Sequence, residues 1–283
     1  MIERPPSQGK VYLIGAGPGD PDLLTVRARR LIDHVDVVLC DGLVGDEIIR
    51  SIPTETDVID VSKRVRHDGY SQAEINELMI ERTLAGESVA RLKGGDPTVY
   101  GRGGEEAEAL ADADIAFEIV PGVTSVVAGT GGVGIPLTHR EHASTVTVIT
   151  GHECPEKDDS AVDFGAISTM IERGGTLVVL MGVRTLPRTV DQLRRHGVAT
   201  ETPAAMIERA TLNDETVVTG SLETIVEEVN AAEISSPAIA VIGDVVSVRA
   251  EIEHALSGDS GVCPTDLDEL PLSPLTRAVI QQQ

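Results

Sequence analysis

The chain has 283 residues, 41% of them hydrophobic, enough for substantial cores, and its length favours two domains over one. Aromatic residues supply only 2%, so those cores must be built from Val, Ile, Leu and Ala. With 46 acidic residues against 23 basic ones the formal net charge is -23, a field that repels nucleic acid and anionic membrane and excludes both as partners.

Only Lys10, Lys63, Lys93 and Lys157 are lysines. Dense acid with so little lysine resembles the surfaces of proteins from salt-loving organisms, where high ionic strength shortens the screening length, more than an ordinary acidic surface. No apolar run approaches the roughly 18 residues of a membrane span, and no signal peptide opens the chain. Cys40, Cys154 and Cys263 are scattered, with no C-x-x-C, which argues against disulfides and zinc and for a cytoplasmic protein.

In chain order, residues 1–9 are a polar lead-in, and Val11-Tyr12-Leu13-Ile14 is a short buried strand closed by Gly15-Ala16-Gly17-Pro18-Gly19-Asp20. Helical spacing runs from Leu23 to His34. Val37-Val38-Leu39 is a strand ending at Cys40-Asp41-Gly42, and a helix from about Gly45 leads to the strand Val58–Val61, which ends at Ser62-Lys63-Arg64. Ser71 with Glu74 forms a capping box for a helix reaching about Ala85. A strand at Val89 opens into RLKGGDPTVYGRGGEE, residues 91–106, then a helix Glu105–Ala113 and a strand Phe117–Val120 ending at Pro121-Gly122-Val123-Thr124-Ser125. Five short apolar strands alternating with helices predict a parallel sheet wound with helices on its faces. Ligands of such sheets sit beyond the carboxyl ends of the strands, so five unusual strand ends converge on one edge.

Residues 126–144 predict a helix and a connection. A second alternation follows, with strands at Val146–Thr150, Leu177–Met181, Ala204–Glu208, Thr216–Gly220 and Ala238–Ile242, and helices around Asp163–Arg173, Leu186–His196 and Leu222–Asn230. Beyond about Ala255 periodicity stops and the chain reads as a tail. The expected division is a domain over 10–122, a second over 123–252 and a tail over 253–283, with no internal repeat.

The stretch 91–106 carries five glycines and Asp96. Paired glycines let backbone pass close to a ligand, and a carboxylate in such a loop suits an alcohol, an amine or a cation. GAGPGD invites a dinucleotide reading, with Asp41 as the ribose-binding acid. Asp20 stands where the fingerprint has its third glycine, against a phosphate, and Pro18 removes an N–H donor. A non-phosphorylated nucleoside bearing a cationic sulfur, S-adenosylmethionine, fits better.

The segments VYLIGAGPGDPDLLT, CDGLV, the Lys63-Arg64 pair, RLKGGDPTVYGRGGEE, VPGVTS, GIPLTHR, VITGH, MGV and SPAIAVIG together resemble the uroporphyrinogen-III C-methyltransferase class of the tetrapyrrole methylase family, from about Lys10 to Glu251. The resemblance implies two dissimilar α/β domains, an N-terminal parallel five-stranded sheet and a C-terminal mixed sheet, with the ligand in the cleft between them, in a homodimer. It implies that Pro18, Gly94, Gly95, Asp96, Val99, Thr124, Ser125, Met181 and Ala210 contact S-adenosylmethionine, that Asp41 accepts a proton and that Lys63 donates one. It implies methylation of uroporphyrinogen III at two ring carbons to precorrin-2, feeding siroheme or cobalamin. The chain departs from the family at Ser62, Thr98, Tyr100, Ser125 and Ala210, where Gly, Phe, Phe, Ala and Gly are usual.

The chemistry agrees with these positions: an electron-rich pyrrole carbon attacks a sulfonium methyl, and the cationic ring must then lose a proton to a base. Asp41 at a strand end can serve, or can simply cap the next turn. A substrate with eight carboxylates needs a local reversal of the acidic field, and Lys63-Arg64-Val65-Arg66-His67 is the densest basic run outside the first helix. Arg64 and Arg66, with Arg102 and Arg140 in motif segments, are the expected substrate contacts. His139 and His142 form a pair with no obvious third ligand and read as a surface pair, so no metal is expected. The competing readings are a later precorrin methyltransferase and a non-catalytic nucleotide-binding regulator.

Overall fold

The computed structural model describes residues 9–62, 69–152 and 161–258. They form two compact units that divide between Thr124 and Ser125. No helix among the described residues is long and apolar enough to cross a membrane.

The first unit runs β1 (Val11–Gly15), a single 3-10 turn (Pro21–Leu23), α1 (Val26–Ile32), β2 (Val37–Cys40), α2 (Asp46–Arg50), β3 (Asp57–Asp60), α3 (Gln72–Leu84), β4 (Val89–Lys93), α4 (Gly103–Asp112) and β5 (Phe117–Val120). The strands pair in the order β3-β2-β4-β1-β5, every neighbouring pair parallel. Parallel sheets are covered on both faces, and side chains alternate between them. Ile14, Val38, Ala90 and Leu92 pack with Ala28, Ile32 and Ile48 on one face. On the other, Val11, Leu13, Val37, Leu39 and Val89 meet Ile75, Met79 and Leu110.

The helices begin where local chemistry starts them. Ser71 and Glu74 close the expected capping box on α3, and Thr25 accepts from the Ala28 amide at α1. The helix expected over Leu23–His34 is shorter than its spacing implies, because Asp20 first caps the Pro21–Leu23 turn through the Asp22 amide, 2.8 Å away.

The second unit runs α5 (Ser125–Gly132), β6 (Thr145–Thr150), α6 (Phe164–Glu172), β7 (Gly175–Leu180), α7 (Leu186–Arg195), β8 (Pro203–Glu208), β9 (Thr216–Ser221), α8 (Ile225–Ala231), β10 (Ala238–Ile242) and α9 (Val246–Gly258). Its sheet order is β6-β7-β10-β8-β9. Only β6–β7 is parallel and the other three pairings are antiparallel, so the sheet is mixed as the resemblance implied. Ile149, Leu177, Val179, Leu193, Met206, Ile225 and Ile242 centre its core. The sequence reading did not place α9. Residues 259–283, most of the expected tail, lie outside the described residues.

One close approach organises the first unit's ligand edge. A Cβ on Gly122 would lie 2.3 Å from the Gly95 oxygen and 2.7 Å from the Gly15 Cα, and one on Gly15 would lie 2.5 Å from the Gly122 Cα. The loops after β1, β4 and β5 therefore touch backbone to backbone. Gly122→Ala is expected to destabilise the protein by about 2–3 kcal/mol, since only backbone can give way. Gly131→Ala, in helical backbone with nothing within 4 Å, should stabilise by about 0.5 kcal/mol. Denaturant midpoints that move alike in the two variants would show that the contact carries no constraint.

Candidate active site

Arg91 and Lys93 stand two residues apart on β4, the central strand, and so share the face covered by α3 and α4. Neither reaches solvent: their side chains are 2% and 4% exposed. A charge taken this far from water must be matched in place. Glu106, the fourth residue of α4 and wholly buried, does so. Its Oε1 accepts from Arg91 Nε at 3.0 Å, from Lys93 Nζ at 2.9 Å and from Gln72 Nε2 of α3 at 3.2 Å. Glu106 Oε2 has no hydrogen-bond partner among the described residues.

The second carboxylate is Asp41, immediately after β2. Its own amide bonds the Leu92 oxygen at 3.1 Å, which pins it beside β4. Arg91 Nη2 donates to Asp41 Oδ1 at 2.6 Å, while Nη1 reaches the Leu39 and Leu92 carbonyls. Among the described residues Asp41 Oδ2 has only Lys93 Nζ, at 3.7 Å, beyond hydrogen-bond length. The Asp41 side chain is 32% exposed, so of the four charged groups it alone meets solvent.

Burial by itself would lower the proton affinity of Arg91, yet Asp41 and Glu106 outweigh it and raise the affinity above the ordinary value. Lys93 goes the other way. Burial and then the Arg91 charge lower its pKa, and the two carboxylates only partly restore it. Beside them Cys40 is buried, and desolvation pushes its thiol up to about 12, so it is an inert neighbour.

Around this network lie the glycine loops. Gly17 and Gly95 exchange amide hydrogen bonds of 3.1 and 2.7 Å, which ties the loop of Pro18 to that of Gly94 and Gly95. A Cβ on Gly94 would meet the Leu43 Cβ at 2.7 Å. Asp96 is not a free carboxylate: Oδ1 accepts from the Thr98 amide and hydroxyl at 2.8 and 2.6 Å, and Oδ2 from the Gly122 amide at 3.0 Å. It thus fixes the turn around Val99 and joins the end of β4 to the end of β5. Arg102, with positive φ, is paired with Glu105 at 2.6 Å on the surface.

The second unit gathers its own candidates at one end of its sheet. Leu180 of β7 pairs with Ile239 and Glu208 of β8 pairs with Ala238, so Met181 and Ala210 follow two strands that flank the start of β10. Met181, Arg209 and Thr211 all have positive φ, and Met181 holds its side chain 48% exposed. Such backbone in non-glycine residues persists only where its surroundings impose it, and it clusters at ligand sites. Gly129 of α5, the helix Ser125 opens, lies against Ala210 and Ile239, where a Cβ would come within 2.9 and 2.7 Å. Thr124 closes the first unit. Arg140 is exposed in a turn. In that turn Glu141 brings its carboxylate within 4.8 Å of ligand atoms of His139 and His142, a third donor that the sequence reading did not find. The Glu141 amide donates to His139 Nδ1, and the His139 and Ala143 amide bonds close the turn. Lys63, Arg64 and Arg66 lie outside the described residues.

Sequence reasoning missed Arg91, Lys93, Glu106 and Gln72. The signal was present: two cations at alternate positions of an otherwise apolar strand, in a chain with very little lysine. The donor set fits a nucleoside without phosphate. Arg91 and Lys93 are consumed internally and Arg102 is paired, while Asp20 caps its own turn, so the described residues of this edge offer no cation cluster to a pyrophosphate.

The profile of the Tetrapyrrole (Corrin/Porphyrin) Methylases matches residues 10–226. A relative in Methanosarcina barkeri (strain Fusaro / DSM 804), S-adenosyl-L-methionine-dependent uroporphyrinogen III methyltransferase, is 50% identical over 85% of this chain and 93% of that protein. The crystal structure of uroporphyrin-III C-methyl transferase from Thermus thermophilus complexed with S-adenyl homocysteine superposes with a TM-score of 0.72 at 38% identity, covering 85% of this chain and 100% of that one. A cobalt precorrin-4 methyltransferase superposes with a TM-score of 0.76 at 27% identity, over 87% of this chain and 99% of that one.

Stability should report the buried network directly. Arg91→Met strips Glu106 and Asp41 of a shared counter-charge and is expected to cost about 3–5 kcal/mol in urea unfolding. Arg195→Met removes the exposed pair with Asp191 and should cost under about 1 kcal/mol. Equal costs would mean that the network is no more than a surface ion pair.

Proposed function

The chain belongs to the tetrapyrrole methylases, and from that membership we propose that it is a uroporphyrinogen-III C-methyltransferase, transferring methyl groups from S-adenosylmethionine to two ring carbons to give precorrin-2. The observation that carries the reading is 50% identity to a uroporphyrinogen III methyltransferase along nearly its whole length. The precorrin-4 methyltransferase shares the fold at 27% identity, which favours the early enzyme over a later corrin methylase.

S-adenosylmethionine supplies an electrophilic methyl group on a positively charged sulfur. Gly94, Gly95, Asp96 and Val99, with Pro18, Thr124, Ser125, Met181 and Ala210, are the proposed contacts for it. Glycine backbone, an exposed thioether and strained strand-end residues at these positions support that reading. Asp41 is the proposed base. The attacked ring carbon already bears an acid side chain and no hydrogen, so the new methyl makes it quaternary and leaves the ring cationic. Loss of a proton from a neighbouring position of the ring system neutralises that charge, and Asp41 Oδ2 is the carboxylate oxygen left without a hydrogen bond among the described residues. Lys63 is the proposed proton donor. Arg64, Arg66, Arg102 and Arg140 are the proposed contacts for the substrate carboxylates.

Incubation of the purified protein with uroporphyrinogen III and methyl-labelled S-adenosylmethionine should yield a doubly methylated tetrapyrrole. Asp41→Asn keeps the shape and should lower turnover by about 10²–10⁴-fold with little change in affinity for S-adenosylhomocysteine measured by calorimetry. Binding of the nucleoside without methyl transfer would instead identify a regulator.

The acidic, lysine-poor surface is the proposed mark of a protein that works at high salt, as a cytoplasmic homodimer. The melting temperature should climb from low to molar salt as screening relieves self-repulsion, and light scattering in the same buffers should give twice the monomer mass. A flat salt response removes the halophilic reading, and a monomer mass removes the dimer.

A further inference from the structure

Lys93 and Glu106 have no part in the chemistry assigned above, yet the fold buries both directly behind Asp41. We infer that they are positioning residues that tune the basicity of the Asp41 carboxylate in opposite directions, an inference that rests on Asp41 being the proton acceptor.

The geometry gives each group a distinct task. Arg91 holds Oδ1 at 2.6 Å and leaves Oδ2 as the accepting oxygen. Lys93 stands 3.7 Å from Oδ2, near enough to stabilise its negative charge and too far to cap it with a hydrogen bond. Glu106 draws both cations toward itself, with contacts of 3.0 and 2.9 Å on one oxygen. It thereby limits how strongly they stabilise the Asp41 anion. Two cations and two carboxylates leave the cluster formally neutral.

Arg91 and Lys93 each favour the charged form of the Asp41 carboxylate and Glu106 opposes them, and charges at such distances in a largely buried cluster interact strongly.

Among the described residues, the other groups around Asp41 are accounted for. Cys40 precedes it on β2 and stays a thiol. Asp60 closes β3 and is near enough to influence Cys40. Gln72 of α3 is uncharged. Glu105 of α4 is bound by Arg102 and feels Lys93 only weakly. None of these bridges Arg91 and Lys93 as Glu106 does.

The test is the acid limb of the pH–rate profile, where activity rises with pH as Asp41 loses its proton. Glu106→Gln deletes an anion, so Arg91 and Lys93 act on Asp41 without opposition and favour its charged form. The limb should move to lower pH by about one unit, with a lower plateau because the base is weaker. Lys93→Met deletes the cation beside Oδ2, disfavours the charged form and should move the limb to higher pH by a similar amount. The double variant Lys93→Met/Glu106→Gln loses one charge of each sign and should return the limb near the parent position.

Carbon-13 NMR of the Asp41 carboxyl, assigned by its absence in Asp41→Asn, should titrate with the same displacements without any turnover. Shifts of opposite sign support the inference. In folded variants, displacements of the same sign, or none, overturn it, as does a double variant displaced as far as either single one. If a single variant does not fold, the double variant and the remaining single still decide. An acid limb that survives unchanged in Asp41→Asn would fail the base assignment itself, a result separate from failure of the tuning.

Discussion

Arg91 sits in the middle strand of a parallel sheet, sealed under two helices. Carboxylates compensate the cation there, and they must come from specific elements at specific heights. Asp41 after β2 and Glu106 in the first turns of α4 meet that demand. One consequence is geometric: the register of β2 against β4 and the placement of α4 are both tied to the same guanidinium. The other is chemical. Removing any member leaves an unmatched charge in low dielectric, so the group at the ligand edge cannot be repositioned without cost to the fold. Site and core are one construction at this point.

The loops beyond the strands add a second constraint of a different kind. Gly15, Gly95 and Gly122 touch through backbone alone, and Asp96 then ties Gly122 to the end of β4. The carboxylate that looked in the sequence like a ligand contact is engaged on both oxygens by the protein. It therefore sets the shape of the turn around Val99 before any ligand arrives. The same logic applies to Asp20, which spoils a phosphate site but exists to start a helical turn. Residue types that attract notice in a motif can act one step removed from the ligand.

The alternation of strands and helices was legible because fully buried parallel strands leave short apolar runs with glycine-rich ends. The convergence of those ends followed from the all-parallel order. Boundaries were less legible where a cap interrupts the period, as between Leu23 and Val26. The helix from Val246 was passed over, and its short face against β8 leaves only a weak apolar signal. The site was half legible. Asp41 and the glycine loops stand out by type and place. Arg91 and Lys93 passed unremarked inside a strand, because period-two reading treats a charged residue as facing solvent. In a central strand with helices on both faces there is no solvent side, so VARLK itself announced a buried charge network once the strand was known to be central.

The internal neutrality of that network bears on how so acidic a protein would hold a polyanion. Arg91 and Lys93 are matched by Asp41 and Glu106, so the most cation-rich strand adds almost no net field at the ligand edge. Asp41 contributes negative charge at the one place where the group is exposed. In the proposed reading, attraction for carboxylates comes from cations outside the network: the run at residues 63–67, Arg140, and Arg102 if its pair with Glu105 opens. Exposed charges such as Arg102 and Arg140 act over about 8–10 Å at moderate salt and less at molar salt. High salt would weaken their pull on a polyanionic substrate at the same time as it relieves repulsion from the -23 surface. Arg91, Lys93 and Glu106, buried away from solvent, are screened far less than either, so salt should change their mutual pairing least.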